Sequence, residues 1–354
     1  MRAPCVLVAA LLSLPLLGFG AAAPTHAEIF VGSGNAIEVF ANDADGNATP
    51  LREIFGAQTE LPSVFTLLVD RVHRELWVAG FSGSVLVFAM DDANDVPPLR
   101  KIEGPATGLV NACGLALDLV HDELYVVDSA GAVRVFPRLT DGDQQPTRAI
   151  SGTSTGLATP TMGFLDLVHD ELYVTNAGGG GPRVRVYTRL ASGDALPIRT
   201  LGTAGSGINS PRGLLVDLEH DELIVVELIL NAVRFYSRTA SGSNSWLREI
   251  AGPATKLDRP FQAILTEDDE LLIGNDGDIE EGFVGHARTA EDDAAPTRYV
   301  SGGATFLDSA TGIASDRARN CTEGNSVDGC IYRDNFEAAD LCYWTGIVGG
   351  PACP

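Results

Sequence analysis

The sequence predicts an all-β fold, a six-bladed β-propeller, and three observations predict it. The motif Asp-x-x-His-x-Glu-Leu-aromatic-Val recurs along the chain. Its glutamates Glu28, Glu75, Glu123, Glu171, Glu222 and Glu270 are separated by 47, 48, 48, 51 and 48 residues. Each repeat holds four short apolar runs divided by polar, Gly-containing links, the content of one four-stranded blade. The third observation concerns where the repeats begin and end. Glu28 already lies in the second strand of a blade, and residues 307–316 match the run that leads into a first strand, as residues 109–118 do. The C-terminal end of the repeats is therefore expected to donate a strand to the N-terminal blade, closing a ring over residues 28–316 and removing an exposed sheet edge.

Residues 1–27 read as an export leader (signal peptide). Arg2 gives a positive start, residues 6–19 an apolar stretch broken by Ser13 and Pro15, and Thr25-His26-Ala27 a small residue for cleavage. The stretch is too short and too broken for a membrane span. Residues 114–150 set the pattern for the blades. Residues 114–118 are an apolar run suited to a strand buried on both faces, and residues 123–127 follow a tight polar turn. Residues 132–136 alternate apolar and polar, and residues 146–150 do so more weakly. Residues 317–354 form a Cys-rich tail. Its Cys321, Cys330, Cys342 and Cys353, at intervals of 9, 12 and 11, read as two disulfides with three possible pairings. The close Cys-x2-Cys pairs of structural zinc sites are missing. Cys113 stands alone and is expected to be a buried free thiol.

Composition narrows the function classes. With 24 Lys+Arg against 47 Asp+Glu the net charge is −23, so phosphate backbones and anionic lipid would repel the chain. No nucleic-acid partner and no membrane insertion are expected. An apolar share of 45% with 20% charged residues excludes a disordered or collagen-like chain.

The blade pattern Leu-x-x-Pro-x-Gly-x-x-x-Asp, followed by Glu-Leu-Tyr-Val-x-Asp and Val-x-Val-Phe, resembles NHL-type propeller repeats across residues 28–316. Ile208-Asn209-Ser210-Pro211-Arg212-Gly213-Leu214-Leu215-Val216-Asp217 is its best copy. The fourth-strand signature Pro-x-Arg-x-Ile of residues 146–150 resembles that of exported bacterial propellers. The Asn-x-x-Ile segment that NHL repeats carry after the second strand is poorly kept. The resemblance implies a fold more than an activity, because NHL-like rings include scaffolds, binding modules, lyases and metal-dependent hydrolases. In the tail, Asp334-Asn335-Phe336-Glu337 through Trp344 resembles a short Asp-Gly-Phe-Glu…Trp segment that ends many exported bacterial proteins, with Asn335 replacing the Gly. That resemblance implies a sorting or surface-retention element. A disulfide-pinned cap over one face of the ring is the other reading.

Candidate chemistry follows from slots that repeat once per blade. His73, His121, His169 and His220 share the turn between first and second strands. Copies on different blades stand on the order of 10 Å or more apart, too far to share one metal at ~2 Å each. They are expected to close hairpins with the neighbouring Asp, and His26 shares the slot. The fourth-strand arginines Arg52, Arg100, Arg148, Arg199, Arg248 and Arg298 are expected to bridge carboxylates of the same or the next blade. First strands open onto the central channel at Phe65, Cys113, Thr161, Arg212, Phe261 and Thr311, a slot with no carboxylate. The ends of the second strands read Ser33, Gly80, Asp128, Asn176, Glu227 and Asn275. Of these Asp128, Asn176, Glu227 and Asn275 could ligate a cation, with Asp276, Asp278, Glu280 and Glu281 nearby, or could simply close turns. Asn111, Arg212, Asp258 and Arg259 are the polar candidates for holding a ligand at the channel.

The expected protein is a monomeric, non-catalytic binding or scaffold module, secreted, periplasmic or at the cell surface. Its partner would be an unidentified protein or glycan, and no cofactor is expected. The alternative is a lactonase/hydrolase- or lyase-type propeller enzyme with a divalent cation such as calcium near the channel mouth.

Overall fold

Short runs of β-branched and aromatic residues between Gly- and Asp-rich turns form strands of three to seven residues, which assemble as six four-stranded antiparallel sheets. The computed structural model describes residues 27–319 except 278 and 280. The expected leader up to residue 26 and the tail cysteines Cys321, Cys330, Cys342 and Cys353 lie outside the described residues. Helix among the described residues is confined to the 3-10 turns Pro105–Thr107 and Pro253–Thr255.

The sheets are the six blades of a propeller. Blade 3 shows the plan, with Ala112–Asp118, Glu123–Asp128, Ala132–Pro137 and Arg148–Ser151 running from axis to rim. Residues 66–103 form blade 2, and blades 4, 5 and 6 span 160–201, 211–251 and 260–300. Blade 1 draws on both ends of the repeated region. Gly312–Ser315 pairs antiparallel with Glu28–Ser33, Ile29 opposite Ser315 and Gly32 opposite Gly312, and Ala36–Ala41 and Arg52–Ile54 complete the sheet. Below, the upper face is where first strands begin and second strands end; the lower face carries the turns between first and second strands.

Packing is distributed, one apolar cluster per blade interface. Trp77, Val126 and Phe136 meet between blades 2 and 3. Tyr173 and Tyr236 meet between blades 4 and 5, and Phe40 meets Phe283 edge-on at 5.8 Å between blades 6 and 1. First strands pack side by side around the axis. They leave a cavity of about 110 Å³ in the channel, walled by Leu67, Leu115, Met162, Leu214, Ala263 and Ala314.

The repeat motif has a physical explanation. Residues two apart on a strand share a face, so the motif Glu and its aromatic partner both meet the fourth-strand Arg of the same blade. Arg100 binds Glu75 through two 2.8 Å hydrogen bonds and lies over Trp77. Arg148 does the same with Glu123 and Tyr125, and Arg199 with Glu171 and Tyr173. Arg52–Glu28, Arg248–Glu222 and Arg298–Glu270 complete the series. These pairs are largely buried, and the Arg148 hydrogen bonds hold the Glu123 carboxyl below its usual range. The hairpin His residues bond the Asp three positions earlier, His73 to Asp70 and His169 to Asp166 at 2.8 Å, each within its own blade.

Two further devices join neighbouring blades. Arg138, Arg189, Arg238 and Arg288 follow the third strands of blades 3 to 6. Each pairs with an Asp of its own lower turn and reaches the motif carboxylates of the preceding blade, as Arg189 does with Asp170 at 2.9 Å and Asp118 at 3.1 Å. At the two seams flanking blade 1 the slot holds Asn42 and Met90. There the fourth-strand arginine reaches over instead, Arg298 to the Asn42 carbonyl and Arg52 to the Met90 carbonyl. A parallel bridge between each fourth strand and the next blade's outer loop recurs six times, from Ile54–Asn94 to Val300–Gly46.

Candidate functional site

Three of the six first-strand slots at the upper channel mouth serve the ring itself. The Thr311 hydroxyl donates to the Val64 carbonyl of the next blade, the Cys113 thiol to the Pro160 carbonyl at 3.4 Å, and the Thr161 hydroxyl to the Arg212 carbonyl at 3.3 Å. Burial pushes the Cys113 thiol up to about 12, which keeps it protonated and a poor nucleophile. The other three slots hold the buried Phe261 and the half-buried Phe65 and Arg212. Phe65 meets Phe261 edge-on at 4.2 Å and Phe81 at 4.0 Å. Blades 2 and 6, which carry Phe65 and Phe261, are not neighbours, so these rings meet in front of blade 1. The guanidinium carbon of Arg212 lies 5.6 Å from the Phe261 ring centre.

The four candidate ligand residues are placed unequally. Arg212, Asp258 and Arg259 gather on the side of the mouth formed by blades 5 and 6. Arg259 holds a positive φ of 50°, and its guanidinium pairs with Asp276 at 3.0 Å. Asp258 accepts the Ile279 amide at 3.1 Å. Asn111 belongs to blade 3, where its amide bonds Asp128 at 3.1 Å. Arg212 is half-buried. Desolvation holds its pKa below the usual range, with Arg259 acting the same way and Asp276 opposing both.

The four candidate cation ligands lie on four successive blades, and each binds backbone amides of the loop that feeds its own blade. Asp128 accepts Val110 at 2.8 Å and also pairs with Arg134 at 2.9 Å. Asn176 accepts Ala158 at 2.8 Å, Glu227 accepts Ser210 at 2.6 Å, and Asn275 accepts Asp258 at 3.3 Å. Ser33 has the equivalent role with Asp308. Burial raises the Glu227 carboxyl above its usual range. Among the described residues no three His, Cys, Asp or Glu side chains converge as a metal-binding group. Asp278 and Glu280 lie outside the described residues.

Apolar side chains are also exposed on the upper loops, at positions outside the aligned slots. Phe81 is 45% exposed, Val110 56%, Ile229 73% and Phe306 61%. For Ile229 the signal in the sequence is an apolar residue in a turn where the aligned positions of blades 2, 3, 4 and 6 carry Ser82, Ala130, Gly178 and Gly277.

No family model matches the sequence, and the comparison with curated proteins gives no match either. Among solved structures, a chain of the crystal structure of a nidogen/laminin complex superposes with a TM-score of 0.58 at 17% identity. The match covers 82% of this chain and 98% of that one. At that identity the likeness speaks for the fold alone, and the fold it speaks for is the six-bladed propeller.

Proposed function

We propose that the protein is a non-catalytic, NHL-like binding module, exported to the cell envelope or beyond, that receives a protein partner on the upper face of its ring. The observation that carries this reading is the set of exposed apolar side chains on the upper loops, Phe81, Val110, Ile229 and Phe306, together with the phenyl rings that pack at the mouth. Exposed apolar side chains also occur on the lower turns, at Val72, Val120 and Val168, and on the outer loops, at Leu139 and Leu190; the upper face differs in setting its own near phenyl rings that pack on one another. Oxygens that a catalytic cation would need at the second-strand ends are bonded to backbone amides. The similarity to a propeller chain from a nidogen/laminin complex is in keeping with a protein partner.

Capture from native envelope extract tests the reading. The chain from residue 28 onward should retain a partner that the double variant Phe81→Asp/Phe306→Asp loses, with both proteins melting alike. Equal retention by both moves the partner off this face. Calcium and chelator supply a second arm: the melting temperature should be the same in either. A fall with chelator would shift the assignment to the cation-dependent enzyme.

A further inference from the structure

We infer that Arg212 anchors the partner by receiving one carboxylate carried on the partner's chain, against a shelf formed by Phe65 and Phe81 over the buried Phe261. The inference rests on the binding-module reading and adds the chemistry that the face recognises.

Arg212 differs from the other arginines of the ring. The fourth-strand arginines each bind a motif Glu, and Arg189 and its counterparts bind carboxylates of two blades. Among the described residues the Arg212 guanidinium has no carboxylate or carbonyl within hydrogen-bond or ion-pair distance; its contact is the Phe261 ring at 5.6 Å. This occurs in a chain with 47 carboxylates for 24 Lys and Arg. A half-buried, unpaired charge costs folding energy that an incoming anion would offset. Asp276, whose charge offsets part of the desolvation of Arg212, is itself paired with Arg259 at 3.0 Å.

Geometry selects the anion. A planar guanidinium offers two parallel N–H donors, the match for a carboxylate, and the other guanidinium gathered on this side of the mouth, that of Arg259, is tied to Asp276 rather than joined to Arg212 in a phosphate-binding cluster. The phenyl rings sit edge-on to one another. Their positive edges suit an anion, and their faces suit the hydrocarbon that carries it. With those rings packed at the mouth, the carboxylate arrives from above as the C-terminus of a chain and does not enter the channel as a small free acid.

The probes are acetyl-Ala-Ala-Phe with a free C-terminal carboxylate, the same peptide amidated, and acetate alone. Titrations are followed by calorimetry and by the arginine Nε–H resonances of the chain from residue 28 onward. The Arg212 signal is the one missing in Arg212→Gln. The free-acid peptide should saturate and shift that signal. Amidation or Arg212→Gln should weaken binding at least roughly tenfold, and Arg212→Lys should weaken it less. Equal binding of acid and amide, wild-type binding by Arg212→Gln, or no saturable shift overturns the inference. Acetate binding as tightly as the peptide overturns its chain-borne part. In the capture assay, a partner lost by Phe81→Asp/Phe306→Asp but kept by Arg212→Gln sinks the anchor and leaves the binding face intact. Saturable peptide binding without any captured partner does the reverse.

Discussion

Glu38 shows how one residue can work against its own fold. It lies in the third strand of blade 1, opposite Glu53, 2% exposed, and its Oε2 has no hydrogen-bond partner among the described residues. The same slot carries Arg134, Arg185 and Arg234 in blades 3, 4 and 5. Burial, and after it the Glu53 charge, raise the Glu38 carboxyl to about 7. Below the unfolded-state value near ~4.5 both states are protonated and the group costs nothing. Between there and 7 the folded chain keeps a proton that the unfolded chain has released, so stability falls as pH rises through that window. Glu38→Gln should therefore stabilise the protein by roughly 2–3 kcal/mol at pH 8 and by little at pH 4, as read from melts at both pH values. A constant gain at every pH would mean that packing, not ionisation, is responsible. Glu38 was not legible in the sequence, since a lone acid in an alternating strand reads as a solvent-facing position. Arg212 was legible as an unusual occupant of an aligned slot. Its lack of an acidic partner among the described residues depends on distances that no repeat spacing contains.

At the scale of the strand and its loops, spacing carried most of the information. The 47-to-51-residue period placed all six blades and paired each fourth-strand Arg with its own or a neighbouring sheet. Within the motif, the Glu-Leu-aromatic order is the footprint of one guanidinium lying on two side chains of the same face. The latches between blades were not legible, because Arg138, Arg189, Arg238 and Arg288 bond acids about 65 residues away in another repeat. Their energetic weight should follow burial. Arg189→Ala leaves the fully buried Asp118 with less compensation and should cost about 3 kcal/mol. Arg74→Ala breaks an exposed pair with Asp91 and should change stability by less than about 0.5 kcal/mol. A loss at Arg189→Ala as small as that at Arg74→Ala would show that the latch is dispensable. The ends of the fourth strands carry another hidden requirement. Gly152 has φ +132°, and an added Cβ would run into the Asp194 side chain, which itself accepts the Ser154 amide at 2.6 Å. Gly152→Ala should cost about 2 kcal/mol in denaturant titrations, and Gly142→Ala, where φ is positive but the space is open, should cost less.

The whole molecule depends on how its ends meet. Every blade except blade 1 is continuous in sequence, so each can form its hairpins locally. Blade 1 must bring Gly312–Ser315 to Glu28–Ser33 across nearly the full length of the ring. The seam is fastened at several points: the Glu28 amide donates to the Asp316 carboxylate at 2.9 Å, the Thr311 hydroxyl donates to the Val64 carbonyl, and Gln262 Oε1 accepts the Ile313 amide at 3.1 Å. Beyond the strand, the chain runs along the lower face beside blade 6. Arg319 pairs there with Asp269 at 2.7 Å, and Ala318 bridges Thr266. Removing the strand leaves a three-stranded blade with an open edge beside blades 2 and 6. A chain of residues 28–309 should therefore lose roughly 10 °C or more in melting temperature and become prone to aggregation. Because such a truncation could fail for trivial reasons, rescue is the sharper measurement. A synthetic peptide of residues 310–319 should add back as the missing strand and restore most of the lost melting temperature in a saturable way. The same peptide with Ile313→Pro, which lacks the amide that Gln262 accepts, should not. If 28–309 melts with the longer chain, or if both peptides act alike, the donated strand is ornamental and the ring is held by its blade interfaces alone.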